Sequence, residues 1–235
     1  MFGRRKREEQ DFEDVAPEFS DTGDYGVEEA VPVAHGGGPW DAATDHYPEL
    51  ARVDLGSLLV PVGPEFDLQL VLAEQQGSWV VVHHGSSDLQ LQAFAAPRHS
   101  GLWEDVRTEI AAEIANAGGG TTEQRGPLGV ELLASLPAQP GSSQLVPVRF
   151  AGLDGPRWFL RATFSGAAAV NPDAAAPLEM ILREVVVVRG EHPVPPRDLL
   201  ELRLPEDAQQ QFAQQQPDQG IGNPFERGPE ITETR

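Results

Sequence analysis

Along most of its middle the chain alternates apolar and polar residues. From Arg52 to Val60, and then through Phe66, Leu68, Leu70 and Leu72 with Asp67, Gln69 and Val71 between them, the pattern repeats every second residue, the period of a half-buried strand. Trp79-Val80-Val81-Val82 reads as a third strand, and Leu89, Leu91 and Ala93 alternating with Asp88, Gln90 and Gln92 as a fourth. The breaks at Val62-Gly63-Pro64, Gln76-Gly77 and Gly85-Ser86-Ser87 are short and rich in turn formers, so a four-stranded antiparallel meander is expected. The period then changes. Leu102, Val106, Ile110 and Ile114 recur every four residues, with Glu104, Asp105, Glu109 and Glu113 elsewhere on the wheel, which predicts an amphipathic helix. Ser100 is its candidate N-cap, and Gly118-Gly119-Gly120 ends it.

Strand periodicity returns at about Thr121–Arg125, Leu128–Leu136, Gln144–Ala151 and Arg157–Phe164, with turns at Pro140-Gly141 and Asp154-Gly155. A second helix is predicted at Ala174–Arg189, because Leu178, Ile181, Leu182, Val185 and Val188 share a face and Pro177 comes early. The fold class that follows is α+β: a mostly antiparallel sheet of about seven to eight strands with two helices packed on it, both on one face.

Charge is spread unevenly over four stretches of the chain. Of the formal net charge of −20, residues 1–7 carry +4, residues 8–50 carry −13, residues 51–204 carry −7 and residues 205–235 carry −4. Residues 8–50 contain no Lys or Arg, and a self-repelling segment rich in Gly and Pro cannot bury enough surface to fold alone. The expected organisation is therefore a disordered acidic tail with a basic tip over 1–50, a single α+β domain over 51–204, and a disordered Gln/Pro/Gly-rich tail over 205–235. No apolar run approaches the ~18 residues of a membrane span, and acidic Glu8 follows the basic tip where a signal peptide would be apolar, so a soluble cytoplasmic protein is expected. The absence of cysteine removes disulfides, thiolate metal sites and cysteine nucleophiles.

Five segments resemble one family. Gly38-Pro39-Trp40-Asp41, then Arg52-Val53-Asp54-Leu55-Gly56-Ser57-Leu58, then Ala95-Ala96-Pro97-Arg98 leading into Gly101-Leu102-Trp103, then Gly155-Pro156-Arg157-Trp158, and finally Arg189-Gly190 with Pro193 and Pro195, are similar to an actinobacterial family known as domain of unknown function 3710. The similarity runs over about residues 39–204. It implies no activity, cofactor or catalytic residue.

Motifs of chemistry are few. His35-Gly36-Gly37-Gly38 matches an oxyanion-hole loop, but no Gly-x-Ser-x-Gly elbow accompanies it. His83-His84 with Asp88 could hold a metal, yet consecutive strand residues point to opposite faces. A phosphate-binding Walker loop needs a lysine after its glycines, and the only lysine is Lys6. No catalytic residue, metal or cofactor is assigned. Arg4-Arg5-Lys6-Arg7 adjoins the −13 segment, so nucleic acid is not an expected partner.

The strongest binding segment is Arg157 to Phe164, where alternation points Trp158, Leu160, Ala162 and Phe164 inward and Arg157, Phe159, Arg161 and Thr163 outward. Two arginines ~13 Å apart around an outward Phe suit an acidic peptide. Arg98 in the loop before the first helix, and Trp103 at its start, complete the candidate binding set of Arg157, Phe159, Arg161, Arg98 and Trp103. The expected function is a non-enzymatic protein-interaction domain using this arginine/aromatic face, with the tails modulating access. The alternative is a small-molecule site or enzyme with a pocket between the first helix and the sheet, lined by Trp79, Trp103 and Trp158.

Overall fold

A computed structural model describes residues 37–73, 77–98, 101–139 and 142–205. Strand β1 (Trp40–Asp41) comes first, followed by β2 (Arg52–Asp54), β3 (Leu58–Pro61), β4 (Asp67–Ala73), β5 (Gly77–His84) and β6 (Ser87–Ala95). Helix α1 (Trp103–Asn116) leads into β7 (Gly120–Gly126), β8 (Gly129–Pro137), β9 (Leu145–Gly155) and β10 (Trp158–Gly166). A single 3-10 turn at Ala167–Ala169, helix α2 (Pro172–Glu184) and β11 (Val186–Val187) follow.

The α+β class holds. Seven strands form one sheet in the order β4-β5-β6-β10-β9-β8-β7, with every neighbouring pair antiparallel. A second sheet, β1-β11-β3-β2, mixes one parallel pair with two antiparallel ones. The meander has three strands, β4 to β6. The predicted first strand, Arg52–Val60, folds back on itself as the β2–β3 hairpin of the small sheet. Gly56 turns it with φ +86°, and the Asp54 carboxylate accepts the Gly56 amide at 2.7 Å, a local side-chain-to-backbone bond that competes with a continuing strand.

The two helices lie on opposite faces of the large sheet, not on one. Ala175, Leu178, Ile181 and Leu182 of α2 bury against Leu160, Ala162 and Phe164, together with Leu58 and Val60 of the small sheet. Ile110 and Ile114 of α1 bury against Leu132, Ala134 and Phe159. Helix α2 begins where Asn171 accepts the Asp173 amide at 2.9 Å with Pro172 as first helical residue. It ends at Glu184, five residues short of the expectation. The β-branched run Val185–Val187 is fully buried, and Val186–Val187 fills the slot between β1 and β3, an environment that rewards a strand over a helix.

Residues 37–50, expected within the acidic tail, add to this fold. Trp40–Asp41 pairs with β11. Asp41, 2% exposed, accepts the Trp158 indole N–H at 2.7 Å and the amides of Ala43 and Thr44 at 2.9 Å. A buried carboxylate so fully hydrogen-bonded escapes the penalty of an unsatisfied charge. Residues 1–36 and 206–235, the greater part of the two expected tails, lie outside the described residues.

Candidate functional site

On its face of the large sheet, helix α1 packs over β7, β8 and β9. Its N-terminus is anchored from β9: the Asp154 carboxylate accepts the amides of Leu102 and Trp103 at 2.7 and 3.3 Å, satisfying first-turn donors that have no intrahelical partner. The expected cap Ser100 lies outside the described residues. Trp103 then lies flat on the sheet where Gly152 leaves room for it, since a Cβ there would overlap the indole. Its N–H donates to the Val130 carbonyl at 2.6 Å, and its ring stacks on Phe159 with centroids 6.1 Å apart. Gly118, at φ +84°, stops the helix over β8.

Beyond α1 the same face stays open. Cross-strand register along β6 and β10 pairs Phe94 with Phe159, Gln92 with Arg161, Gln90 with Thr163, and Asp88 with Ser165. The first pair belongs to or packs on the α1-side core and the other three form a polar ladder beside it, in which Gln92 is buried and Gln90, Thr163, Asp88 and Ser165 are partly buried. Val81 on one side, and Val148, Phe150 and Leu136 on the other, complete a concavity of about 340 Å³ with Asp88, Gln90, Thr163 and Ser165.

The ends of the ladder differ in charge. Arg161 is half-buried, donates to the Gln92 carboxamide and sits 5.4 Å from the Phe94 ring centroid. Among the described residues no carboxylate comes within ion-pair distance of it. Burial pulls its pKa below the usual arginine value, with the Glu113 field opposing that shift; the guanidinium stays protonated at neutral pH. At the other end His83 Nδ1 lies 2.6 Å from Asp88 Oδ1, and the Ser165 hydroxyl lies 3.4 Å from Asp88 Oδ2. The carboxylate stands between hydroxyl and imidazole, whereas nucleophilic catalysis places the imidazole in the middle. His84 turns to the opposite face and packs on Phe66, 5.1 Å between ring centroids.

The sequence-derived candidates separate. Arg161 alone reaches the open face. Phe159 does not face solvent: it is 1% exposed beneath α1, because outward alternation on a central strand can mean a second core rather than water. Trp103 is 7% exposed and part of the same core. Arg157 belongs to the Pro156-Arg157 turn rather than to a strand; it is exposed at φ +62°, and its carbonyl accepts the Ala96 amide at 2.9 Å. Arg98 is exposed in the loop after β6. The three-tryptophan pocket does not form, since Trp158 belongs to the α2-side core and Trp103 to the α1-side core. Gln90, Gln92 and Thr163 share this face with Arg161, and for the first two the signal in the sequence is their alternation with Asp88. A strand central to its sheet that keeps polar residues on one face leaves that face only partly covered.

Fold and site together define an α+β domain with α2 and the small sheet packed on one face of the large sheet and α1 covering part of the other. The family model described as "Protein of unknown function (DUF3710)" matches residues 38–211, nearly three-quarters of the chain, which therefore belongs to that family. The match begins at Gly38, two residues before β1. No curated protein and no solved structure matches the chain. Among the described residues no helix is long and apolar enough to cross a membrane.

Proposed function

We propose that this is a non-enzymatic interaction domain whose open half-face, beside α1, receives a segment of a protein partner. One observation carries the reading: apolar Val81, Val148 and Phe150 share a concavity with Asp88, Gln90, Thr163 and Ser165, and Arg161 stands on the next rung of the same ladder, just beyond the concavity's lining. A sheet face meant only for water would carry scattered polar residues, whereas apolar walls around convergent polar groups are how recognition surfaces are built. In this reading Arg161 takes the anion-binding role of the arginine/aromatic face, with Phe94 as its aromatic neighbour in place of Phe159. Arg98 and Arg157 lie on loops at the end of the strands, outside the concavity.

Capture from native extract by the full chain, compared with Arg161→Glu and Thr163→Arg, tests this. Both variants change the charge on this half-face, so each should lose the same bound species; because Arg161 bonds Gln92 and lies on the Phe94 ring, the melting temperature of each variant is measured beside it, and Thr163→Arg reports on the face without that contact. Retention of every bound species by both would refute the reading. A small-molecule site is the second reading, favoured by a volume within the ~300–1,000 Å³ range of ligand pockets. A ligand-library thermal-shift screen separates the two, since a saturating ligand raises the melting temperature.

A further inference from the structure

Resting on that reading, we infer that the groove takes one extended peptide segment bearing a carboxylate at one end and a basic group four residues along at the other. The polar ladder is a graded one. Its first rung, just beyond the lining of the concavity, is the cation Arg161 with buried Gln92, its middle rung is Gln90 with Thr163, and its last is Asp88 with Ser165. Arg161 and Ser165 are four residues apart on one strand, and ~3.3 Å per residue puts the charged ends ~13 Å apart, which is also the span of four residues of an extended ligand.

Each end has capacity for an opposite charge. Arg161 is half-buried with a neutral carboxamide as its hydrogen-bond acceptor, so a ligand carboxylate there would gain a charge-assisted bond at a partly desolvated site. Asp88 receives His83 on one oxygen at 2.6 Å, while its other oxygen has only the Ser165 hydroxyl at 3.4 Å, leaving it able to accept an ammonium or guanidinium. Between these ends, the side chains of Gln90 and Thr163 make no hydrogen bond among the described residues, and a carboxamide both donates and accepts, as peptide groups require. The walls stand on β5 and β9, which flank the β6–β10 pair; three strand spacings of ~4.8 Å give a width of ~14 Å, room for a single strand with its side chains. A free amino acid is too short to touch both ends.

The test uses the full ¹⁵N-labelled chain and four end-capped pentapeptides: Glu-Val-Thr-Val-Lys, Gln-Val-Thr-Val-Gln, Glu-Val-Thr-Val-Glu and Lys-Val-Thr-Val-Lys. The zwitterionic peptide should shift the amides of Gln90, Gln92 and Thr163 with about tenfold higher affinity than the neutral one, as one to two charge-assisted bonds allow. Arg161→Gln should abolish the preference for the acidic end and Asp88→Asn that for the basic end, while Arg161→Lys retains both, and unshifted amides in α2 report that each variant is folded. Equal affinity of the neutral and zwitterionic peptides at the groove amides would overturn the polarity and leave the interaction-domain reading standing. Shifts confined to other surfaces, or none with any peptide, would overturn both.

Discussion

Replacing Arg149 by Met should be among the most damaging single changes in the protein. Its guanidinium joins Glu131 of β8 at 3.2 Å and Glu179 of α2 at 2.8 Å, and lies 4.1 Å from the Phe164 ring centroid. The three side chains are 7%, 0% and 12% exposed. Glu131 also accepts the Leu128 amide at 3.2 Å and the Gln124 carboxamide at 3.4 Å, bonds that remain when the cation is gone but do not neutralise the charge. Methionine preserves most of the apolar stem, so the loss comes from two carboxylates left without their counter-ion. Breaking a buried pair in this way costs about 3–5 kcal/mol, out of a typical total of ~5–15 kcal/mol, and corresponds to a melting temperature lower by roughly 6–20 °C for a domain of this size. Adding Glu131→Gln removes the fully buried charge and keeps an acceptor for the Leu128 amide, so the double variant should regain at least ~1 kcal/mol over Arg149→Met alone. Urea denaturation of wild type, both single variants and the double variant gives the coupling directly. A loss below ~1 kcal/mol for Arg149→Met, or a double variant no more stable than it, would refute the reasoning.

Gly152→Ala should destabilise by about 1–3 kcal/mol through overpacking, because the added methyl meets the Trp103 and Phe159 rings; denaturation followed by tryptophan fluorescence measures it. Asp154→Ala, which removes the acceptor for the Leu102 and Trp103 amides, should cost about 0.5–2 kcal/mol, read by denaturation followed by circular dichroism. Arg197→Ala should leave stability nearly unchanged in the same assay, although Arg197 contacts Asp105 and Glu109 of α1 at 3.1 and 2.6 Å, because exposed ion pairs gain little over solvation.

Period alone located α1 and β7 to β10 to within a few residues, since each buries a continuous stripe and local alternation reports that burial. Three features escaped it. The Val185–Val188 run satisfies a helical face and a buried strand equally, and only the vacant slot between β1 and β3 decides for the strand. Trp40–Asp41 is too short to show a period; its place comes from the Asp41 bond to Trp158, 117 residues away. Arg157 to Phe164 alternates as a two-faced strand should, but alternation cannot say what covers each face. Burial of Phe159 and partial burial of Thr163 depend on which strands α1 lies over, and local alternation does not carry that information. Arg161 was legible as a candidate because alternation points it outward beside an aromatic residue. Gln90 and Gln92 carried the same signal more quietly, as uncharged residues facing away from the core.

Site-specific photocrosslinking in cells tests the open half-face most directly. A photoreactive phenylalanine analogue placed at Gln90, inside the groove, should yield a discrete crosslinked species, and one at Met180, 63% exposed on the outer side of α2, should not. Crosslinking from position 180 with none from position 90 would contradict the assignment.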